Sequence, residues 1–203
     1  RDSASTLKRV SMELGGNAPV LVFEDAQVDQ VLDLSVPVKF ANAGQVCVTA
    51  DRFYVHERLM KPFVEGFTAR ARALKLGHGL EEQTQMGPLI NKSQHEKVLS
   101  YIEIGRQEGA TLRHGGAVPS LQGFEAGFFV EPTIFADVTD GMRIAREEIF
   151  GPVMSVLKFE REDEVVTRAN DTEFGLSAGV FTRDLPRAHR VIAELQAGTC
   201  WIN

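Results

Sequence analysis

Strand-like and helix-like segments alternate along almost the whole chain, and this alternation limits the possible folds more than any other feature of the sequence. Short apolar runs, such as residues 20–23 and 153–159, have the length of buried strands. Between these runs, apolar residues recur at helical spacing, as Phe63 and Phe67 do within residues 58–74. The pattern predicts an α/β domain with a mainly parallel, twisted sheet flanked by helices.

The remaining elements follow from the same spacing rules. Asp25 is a candidate N-cap for the first helix, and Pro37 lies inside that helix and should bend it. The predicted helices cover residues 28–43, 58–74, 92–108, 162–169 and 185–195. The predicted strands cover residues 20–23, 52–56, 111–113, 128–130, 133–135, 153–159 and 179–182. Residues 115–127 contain four glycines and one proline and are predicted to form an exposed loop or hairpin.

Composition excludes several classes of function. The 22 basic and 28 acidic side chains give a net charge of −6, which argues against a nucleic-acid partner. No apolar run approaches the roughly 20 residues that cross a bilayer, so we predict no membrane partner. The histidines lack ligand spacing and the cysteines form no paired motif, so we assign no metal. Two cysteines in so long a chain indicate a reducing compartment, by default the cytoplasm.

Cys47 is the first candidate for chemistry. It follows a glycine turn between a predicted helix and a predicted strand. Such a turn can present a thiolate to a cleft, and nearby backbone N–H groups can stabilise an oxyanion that develops beside it. The alternative is that Cys47 is a small buried apolar residue, as free cysteines often are.

Two acidic segments are further candidates. Glu13 interrupts an apolar stretch before two glycines, where a desolvated carboxylate could act as a base; the alternative is a solvated or salt-bridged side chain. Glu147 and Glu148 precede Phe150 and a Gly-Pro turn. One of these carboxylates could bind ribose hydroxyls while the ring forms a wall for a flat cofactor, or both could be solvated with the ring in the core. The chain contains no glycine-rich dinucleotide fingerprint and no P-loop.

Together, the order and separation of these segments resemble the NAD(P)-dependent aldehyde dehydrogenase superfamily. Residues 12–19, 40–47 and 147–152 are similar to the family's glutamate, cysteine and cofactor-ribose motifs. Further similar segments are residues 85–89, 131–133, 169–176 and 198–203. Residues 169–176 are most similar to the succinate-semialdehyde branch. The resemblance covers residues 1–203 and identifies them as the family's catalytic domain.

The resemblance implies a role for each candidate residue. Cys47 would attack the aldehyde, and the resulting thiohemiacetal would pass hydride to the nicotinamide of NAD or NADP. Glu13 would activate the water that hydrolyses the thioester. Glu148 would bind the nicotinamide ribose, Phe150 would wall the ring, and backbone near Leu14 would meet the carboxamide. The implied cofactor-binding residues are Glu148, Phe150, Leu14 and Gly15.

The resemblance also bears on the substrate, which would be a small aldehyde. The implied substrate-pocket residues are Ala41, Val46, Val48 and Thr49. Thr49 is bulkier than the small residue often found there, so we expect it to shape the pocket. Ala41 stands where the succinate-semialdehyde branch commonly has an arginine, which predicts an aliphatic or weakly carboxylate-selective enzyme. Succinate semialdehyde is the alternative substrate, and an inactive relative is disfavoured because Cys47, Glu13 and Glu148 are present.

The family architecture further implies that parts of the enzyme lie outside this chain. We expect the dinucleotide-binding domain to be absent from these 203 residues, which alone should neither bind NAD nor turn over substrate. The full-length enzyme is expected to be a cytoplasmic homo-oligomer.

Overall fold

The computed structural model describes residues 2–203, which form a seven-stranded sheet with helices packed against it. The strands are β1 (Ala18–Val22), β2 (Ala50–His56), β3 (Thr111–His114), β4 (Thr133–Ala136), β5 (Val153–Phe159), β6 (Ser177–Phe181) and β7 (Thr199–Ile202). The helices are α1 (Val28–Phe40), α2 (Met60–Arg72), α3 (Lys92–Gln107), α4 (Arg143–Arg146), α5 (Glu162–Asn170) and α6 (Leu185–Glu194). The strand order is β3-β4-β5-β2-β1-β6-β7.

The sheet is mainly parallel, as the alternating pattern predicts. Within the described residues, β3 pairs antiparallel with β4, and all other neighbouring strands pair in parallel. Strands β1, β2 and β5 are central and fully or almost fully buried, because both of their faces are covered. The predicted fold class is therefore confirmed.

The core lies on both faces of β2, whose successive side chains point in opposite directions. On one face, the ring of Phe53 packs 5.6 Å from that of Phe63 and 5.5 Å from that of Phe67, both on α2. On the other face, Arg52 donates to the carbonyl of Ala169 in α5 at 3.2 Å. A buried arginine here is tolerated because its other N–H groups also find acceptors, at the carbonyl of Asn17 and the hydroxyl of Tyr54.

The prediction of a strand over residues 128–130 is wrong. This apolar run is a buried loop whose carbonyls accept hydrogen bonds from outside the sheet. The carbonyl of Phe128 accepts from the N–H of Leu89 at 2.9 Å, and the ring Nε2 of His95 lies 3.1 Å from the carbonyl of Phe129. Loop contacts therefore satisfy backbone groups that a sheet ladder would otherwise have bonded.

The prediction that Asp25 caps the first helix is also wrong. Gln27 is the N-cap of α1 and makes no side-chain capping bond. Asp25 instead accepts hydrogen bonds from the Thr182 hydroxyl and the backbone N–H of Arg183, each at 2.9 Å. It therefore stabilises the turn between β6 and α6, which is distant in sequence.

Three parallel strands place the three predicted site segments at one edge of the sheet. Strands β5, β2 and β1 are neighbours. Residues 147–152 precede β5, residues 41–49 precede β2, and residues 13–17 precede β1. Because parallel strands begin at the same edge, these segments converge there; we call it the amino edge. No helix in the described part of the chain has the length and apolarity needed to cross a membrane.

Candidate active site

An open cleft of about 630 Å³ lies at the amino edge. The residues that line it are Glu13, Leu14, Gly15, Gln45, Val46, Cys47, Gln94, Lys97, Glu148 and Phe150. The structure thus brings together the predicted nucleophile, the predicted base, the four predicted cofactor-binding residues and Val46. Gln45, Gln94 and Lys97 are lining residues that the sequence analysis did not single out.

A strained turn delivers Cys47 to this cleft. Helix α1 ends at Phe40, three residues earlier than predicted, because Asn42 and Ala43 adopt left-handed φ values of 50° and 55° and Gly44 one of 72°. The side chain of Asn42 donates to the Gln45 carbonyl at 3.0 Å, and the side chain of Gln45 donates to the Asn42 carbonyl at 2.9 Å. These reciprocal bonds hold the turn, and Cys47 is left half-buried as a free thiol.

Glycines allow the three segments to touch through their backbones. A Cβ on Gly44 would lie 2.1 Å from the carbonyl oxygen of Gly151, and one on Gly16 would lie 2.1 Å from that of Cys47. The N–H of Gly16 also donates to Oε1 of Glu148 at 2.8 Å. Gly16 therefore contacts both the nucleophile turn and the cofactor segment, at a distance that a side chain would prevent.

A buried ion pair closes the base of the nucleophile turn. Lys39, near the end of α1, is 0% exposed, and its ammonium lies 2.6 Å from Asp51 at the start of β2. Burial raises the pKa of Asp51, and the charge and hydrogen bond of Lys39 oppose that rise. The pair therefore joins the end of α1 to the start of β2, the two elements between which the Cys47 turn lies.

The structure separates the two acidic residues of the cofactor motif. Glu147 accepts from the Tyr101 hydroxyl at 2.6 Å and from Arg143 at 2.8 and 2.9 Å. These hydrogen bonds, that from Arg143 first, lower the pKa of Glu147 to about 2. Glu147 is therefore committed to an ion pair, whereas Glu148 faces the cleft beside Gly16.

Glu13 lies in the cleft but is not desolvated there. Its side chain is exposed, as is that of Leu14 at 65%. Within residues 2–203, neither the Glu13 carboxylate nor the Cys47 thiol takes part in a hydrogen bond or ion pair. Both groups are therefore available to a ligand in the cleft.

The predicted substrate-pocket residues are divided. Val46 lines the cleft, but Val48 lines a separate apolar cavity with Trp201 and Ala41 is exposed outside both. Thr49 does not line the cleft: it is 1% exposed, and its hydroxyl donates to the Val38 carbonyl at 3.2 Å. Thr49 faces α1 and so supports the turn from behind.

Cys200 differs from Cys47 in its surroundings. It lies in β7, half-buried, with its sulfur 3.9 Å from the carbonyl of Ala197. Burial raises the pKa of the Cys200 thiol, which disfavours the reactive thiolate.

The cleft residues fit the nicotinamide half of a dinucleotide. A Cβ on Gly15 would lie 2.5 Å from Oε2 of Glu148, so the glycine lets the Glu148 carboxylate pack against this backbone. The Glu148 carboxylate keeps lone pairs beyond the one used by Gly16, and the half-buried Phe150 ring lines the same cleft. In the described range of the chain, no three His, Cys, Asp or Glu side chains are grouped to hold a metal.

Comparisons with known proteins agree with this geometry. A family model described as the aldehyde dehydrogenase family matches residues 1–203. A betaine aldehyde dehydrogenase from Mesorhizobium japonicum is 60% identical over 201 residues, which make up 99% of this chain and 41% of that protein. The chain thus spans about two fifths of the length of this relative.

Solved structures show the same architecture. The NAD+ complex of an aldehyde dehydrogenase from Bacillus cereus has a TM-score of 0.92 at 44% identity, over 98% of this chain and 40% of that one. A betaine aldehyde dehydrogenase point mutant from Staphylococcus aureus has a TM-score of 0.94 at 36% identity, over 99% of this chain and 41% of that one. That structure contains NAD+ and a BME-modified cysteine.

Proposed function

The chain belongs to the aldehyde dehydrogenase family, and on that premise we propose that the whole protein oxidises an aldehyde to a carboxylic acid with NAD. The family match confirms the resemblance drawn from residues 12–19, 40–47 and 147–152. The observation that carries the proposal is the convergence of Cys47, Glu13 and Glu148 in one cleft. Nucleophile, base and ribose-binding carboxylate come from segments that precede three different strands.

In the proposed reaction, the Cys47 thiol releases its proton to solvent, the thiolate sulfur attacks the carbonyl carbon, and the C=O π electrons move to the oxygen. The backbone N–H of Cys47 supplies one donor to that oxyanion. When bound, NAD supplies a two-electron acceptor for the hydride that leaves the thiohemiacetal carbon. Glu13 then takes a proton from water as the water attacks the thioester, which releases the acid and returns the thiol.

Substitution of each cysteine tests the nucleophile. In the full-length enzyme, Cys47→Ser should lower kcat by roughly a thousandfold or more, because serine is a poor nucleophile without an adjacent base. Cys200→Ser is the matched control and should retain activity. Comparable losses from both substitutions, or full activity of Cys47→Ser, would contradict the assignment.

The role of Glu13 can be separated from that of Cys47 by timing. In Glu13→Gln, the first turnover should still give a burst of reduced cofactor, and steady turnover should then stall at the thioester. Loss of the burst as well would instead indicate that Glu13 deprotonates Cys47.

For the substrate, we propose an uncharged or cationic aldehyde. The charged groups lining the cleft are the carboxylates of Glu13 and Glu148 and the ammonium of Lys97, so a substrate carboxylate would meet net negative charge. Ala41 supplies no cation in place of the arginine common in the succinate-semialdehyde branch. The relative from Mesorhizobium japonicum is named for betaine aldehyde, a cation.

The charge preference is tested by comparing kcat/KM of the full-length enzyme for three small aldehydes: betaine aldehyde, an uncharged aldehyde of similar length, and succinate semialdehyde. We expect kcat/KM for the anionic substrate to be no higher than for the other two. A preference of a hundredfold or more for succinate semialdehyde, about 2.7 kcal/mol, would show that a basic group elsewhere binds its carboxylate.

The other expectations are part of the same proposal. The 203 residues contain no phosphate-cradling glycine turn, so calorimetric titration of this chain with NAD should show no binding. Micromolar affinity would mean that the cofactor site is misplaced. A homo-oligomeric state and a cytoplasmic location of the whole enzyme stay predictions.

A further inference from the structure

We infer that Gln94 is a positioning residue that holds the cofactor segment, residues 148–150, against the cleft. The consequence for cofactor binding rests on the proposed function, but the positioning itself follows from contacts within the chain. Gln94 lies in the first turn of α3, which contributes two side chains to the cleft lining, Gln94 and Lys97.

These two side chains bond three successive backbone carbonyls. Nε2 of Gln94 donates to the carbonyl of Ile149 at 3.0 Å and to that of Phe150 at 2.8 Å. Nζ of Lys97, one helical turn later, donates to the carbonyl of Glu148 at 3.0 Å. One face of α3 therefore fixes the direction of the whole segment.

The segment needs this restraint because its backbone is strained. Phe150 has a φ of 57°, a left-handed conformation that is unfavourable for an aromatic residue. The two carbonyls that Gln94 bonds flank this residue's backbone and are oriented by its φ and ψ. Without these bonds, we expect the segment to relax and the ring of Phe150 to leave its place in the cleft.

Gln94 is itself rigidly placed. Its backbone N–H donates to the side chain of Asn91, the N-cap of α3, at 2.9 Å. One turn on, Val98 is fully buried, and a Cβ on Gly151 would lie 2.5 Å from its Cγ2. Helix α3 therefore also contacts Gly151, the residue after the cofactor segment, one turn beyond Gln94.

Both amide donors of Gln94 are used in positioning the segment. A glutamine amide has two N–H donors, and the carbonyls of Ile149 and Phe150 take both. Through these two donors, Gln94 affects a ligand by way of Glu148 and Phe150. The far end of the segment provides a reporter, because the carboxylate of Glu148 accepts from the N–H of Gly16.

Hydrogen exchange of the Gly16 amide in the 203-residue chain tests the positioning. Gln94→Met keeps the side-chain length and removes both donors, so Gly16 should exchange about tenfold faster, as expected for the loss of two modest hydrogen bonds. Gln107→Met is the matched control, since Gln107 lies on the same helix and bonds only the exposed Glu103. Amides of Tyr54 and Val55 in β2 report global unfolding.

An unchanged Gly16 exchange rate in Gln94→Met would overturn the inference, as would an equal acceleration at Gly16 and in β2. If Gln94→Met fails to fold, Gln94→Glu, which also lacks the donors, is measured in the same way. In the full-length enzyme, Gln94→Met should also raise the dissociation constant for NAD about tenfold. Faster Gly16 exchange with unchanged NAD affinity would support the positioning and overturn the assignment of Glu148 to the cofactor.

Discussion

The two ends of the parallel strands are built in opposite ways. At the amino edge, where the strands begin, neighbouring segments are held by backbone contacts at Gly16 and Gly44, and the Cys47 thiol is left open to the cleft. At the carboxyl edge, where β1 and β6 end, charged side chains hold one another. Asp25 lies 3.3 Å from Arg187, which also contacts Glu24 at 2.9 Å.

This difference leaves the amino edge with more groups free to contact a ligand. At the carboxyl edge, Arg187 is paired with Glu24 and Asp25, and its guanidinium also lies 4.9 Å from the centre of the Phe23 ring. In open α/β sheets, ligands usually bind at the carboxyl ends of the strands. Here the proposed reactive residues lie at the opposite edge, so the proposed function places the ligand at the other end of the sheet from the general rule.

The comparison predicts that the amino edge is the more sensitive to added atoms. Gly44→Ala should lower the free energy of unfolding by about 4 kcal/mol, because it combines a left-handed residue with overlap of a backbone carbonyl. Gly123→Ala is the control: Gly123 has a similar φ of 85° but no atom within 4 Å of an added Cβ, so it should cost about 1 kcal/mol. Equal losses in urea denaturation would contradict the close contact at Gly44.

The amino edge contains a buried ion pair, and breaking it should have the next largest effect. Lys39→Met leaves the Asp51 carboxylate buried without its cation, which should cost about 3 kcal/mol at neutral pH. Adding Asp51→Leu should recover most of that loss, because no unpaired charge remains. If the double variant is as unstable as Lys39→Met, the loss of stability comes from altered side-chain packing between α1 and β2 and not from the unpaired charge of Asp51.

On the carboxyl edge, removal of one acid should cost less. Burial alone would raise the pKa of Asp25, but hydrogen bonds from Thr182 and Arg183 lower it below 3.8. Its stabilisation is therefore present above pH 3.8 and is lost as the pH falls through the folded pKa. Asp25→Ala should lower the free energy of unfolding at pH 7 by about 2 kcal/mol and flatten its decline in acid. Unfolding curves at pH 7 and pH 3 give both quantities.

The smallest effect concerns Glu147, which borders the cofactor segment. Its pKa of about 2 lies below the ordinary 4.5, so it stabilises the fold above pH 4.5 and loses this contribution as the pH falls toward 2. Because its side chain is 39% exposed, solvent screening limits the contribution to about 1 kcal/mol or less. Glu147→Gln should lower the free energy of unfolding by that amount at pH 7 and leave it unchanged near pH 2. An unchanged free energy of unfolding at pH 7 would mean that the pair with Arg143 does not stabilise the fold.

The sequence predicted the elements whose signals are local. Strand β5 was apparent as a short continuous apolar run, and α2 was apparent because its buried residues recur at helical spacing. The role of Asp25 was not apparent from the sequence, because its partners in the turn after β6 are more than 150 residues away along the chain. Helix α4 was missed because its four residues are too few to establish a period.

The candidate site likewise contains residues that the sequence could predict and residues that it could not. Cys47, Glu13 and Glu148 could be found because they lie in recognisable motifs that precede parallel strands. Gln94 and Lys97 could not, since their partners are backbone carbonyls, which carry no sequence signal. Helical spacing predicted a helix over residues 92–108, but nothing in the sequence showed which loop that helix would face.

The place of β1 in the sheet also has a consequence for how the chain is made. Strand β1 pairs on one side with β6, where Val20 lies opposite Gly179, about 160 residues later in the chain. At translation rates of about 5–20 residues per second, β6 is synthesised roughly 8–30 s after β1. The backbone groups on that side of β1 have no β-sheet partner until then. During that interval the nascent chain exposes a strand edge that can pair wrongly. We therefore expect the yield of folded protein to depend on chaperones that bind this edge before residue 177 emerges.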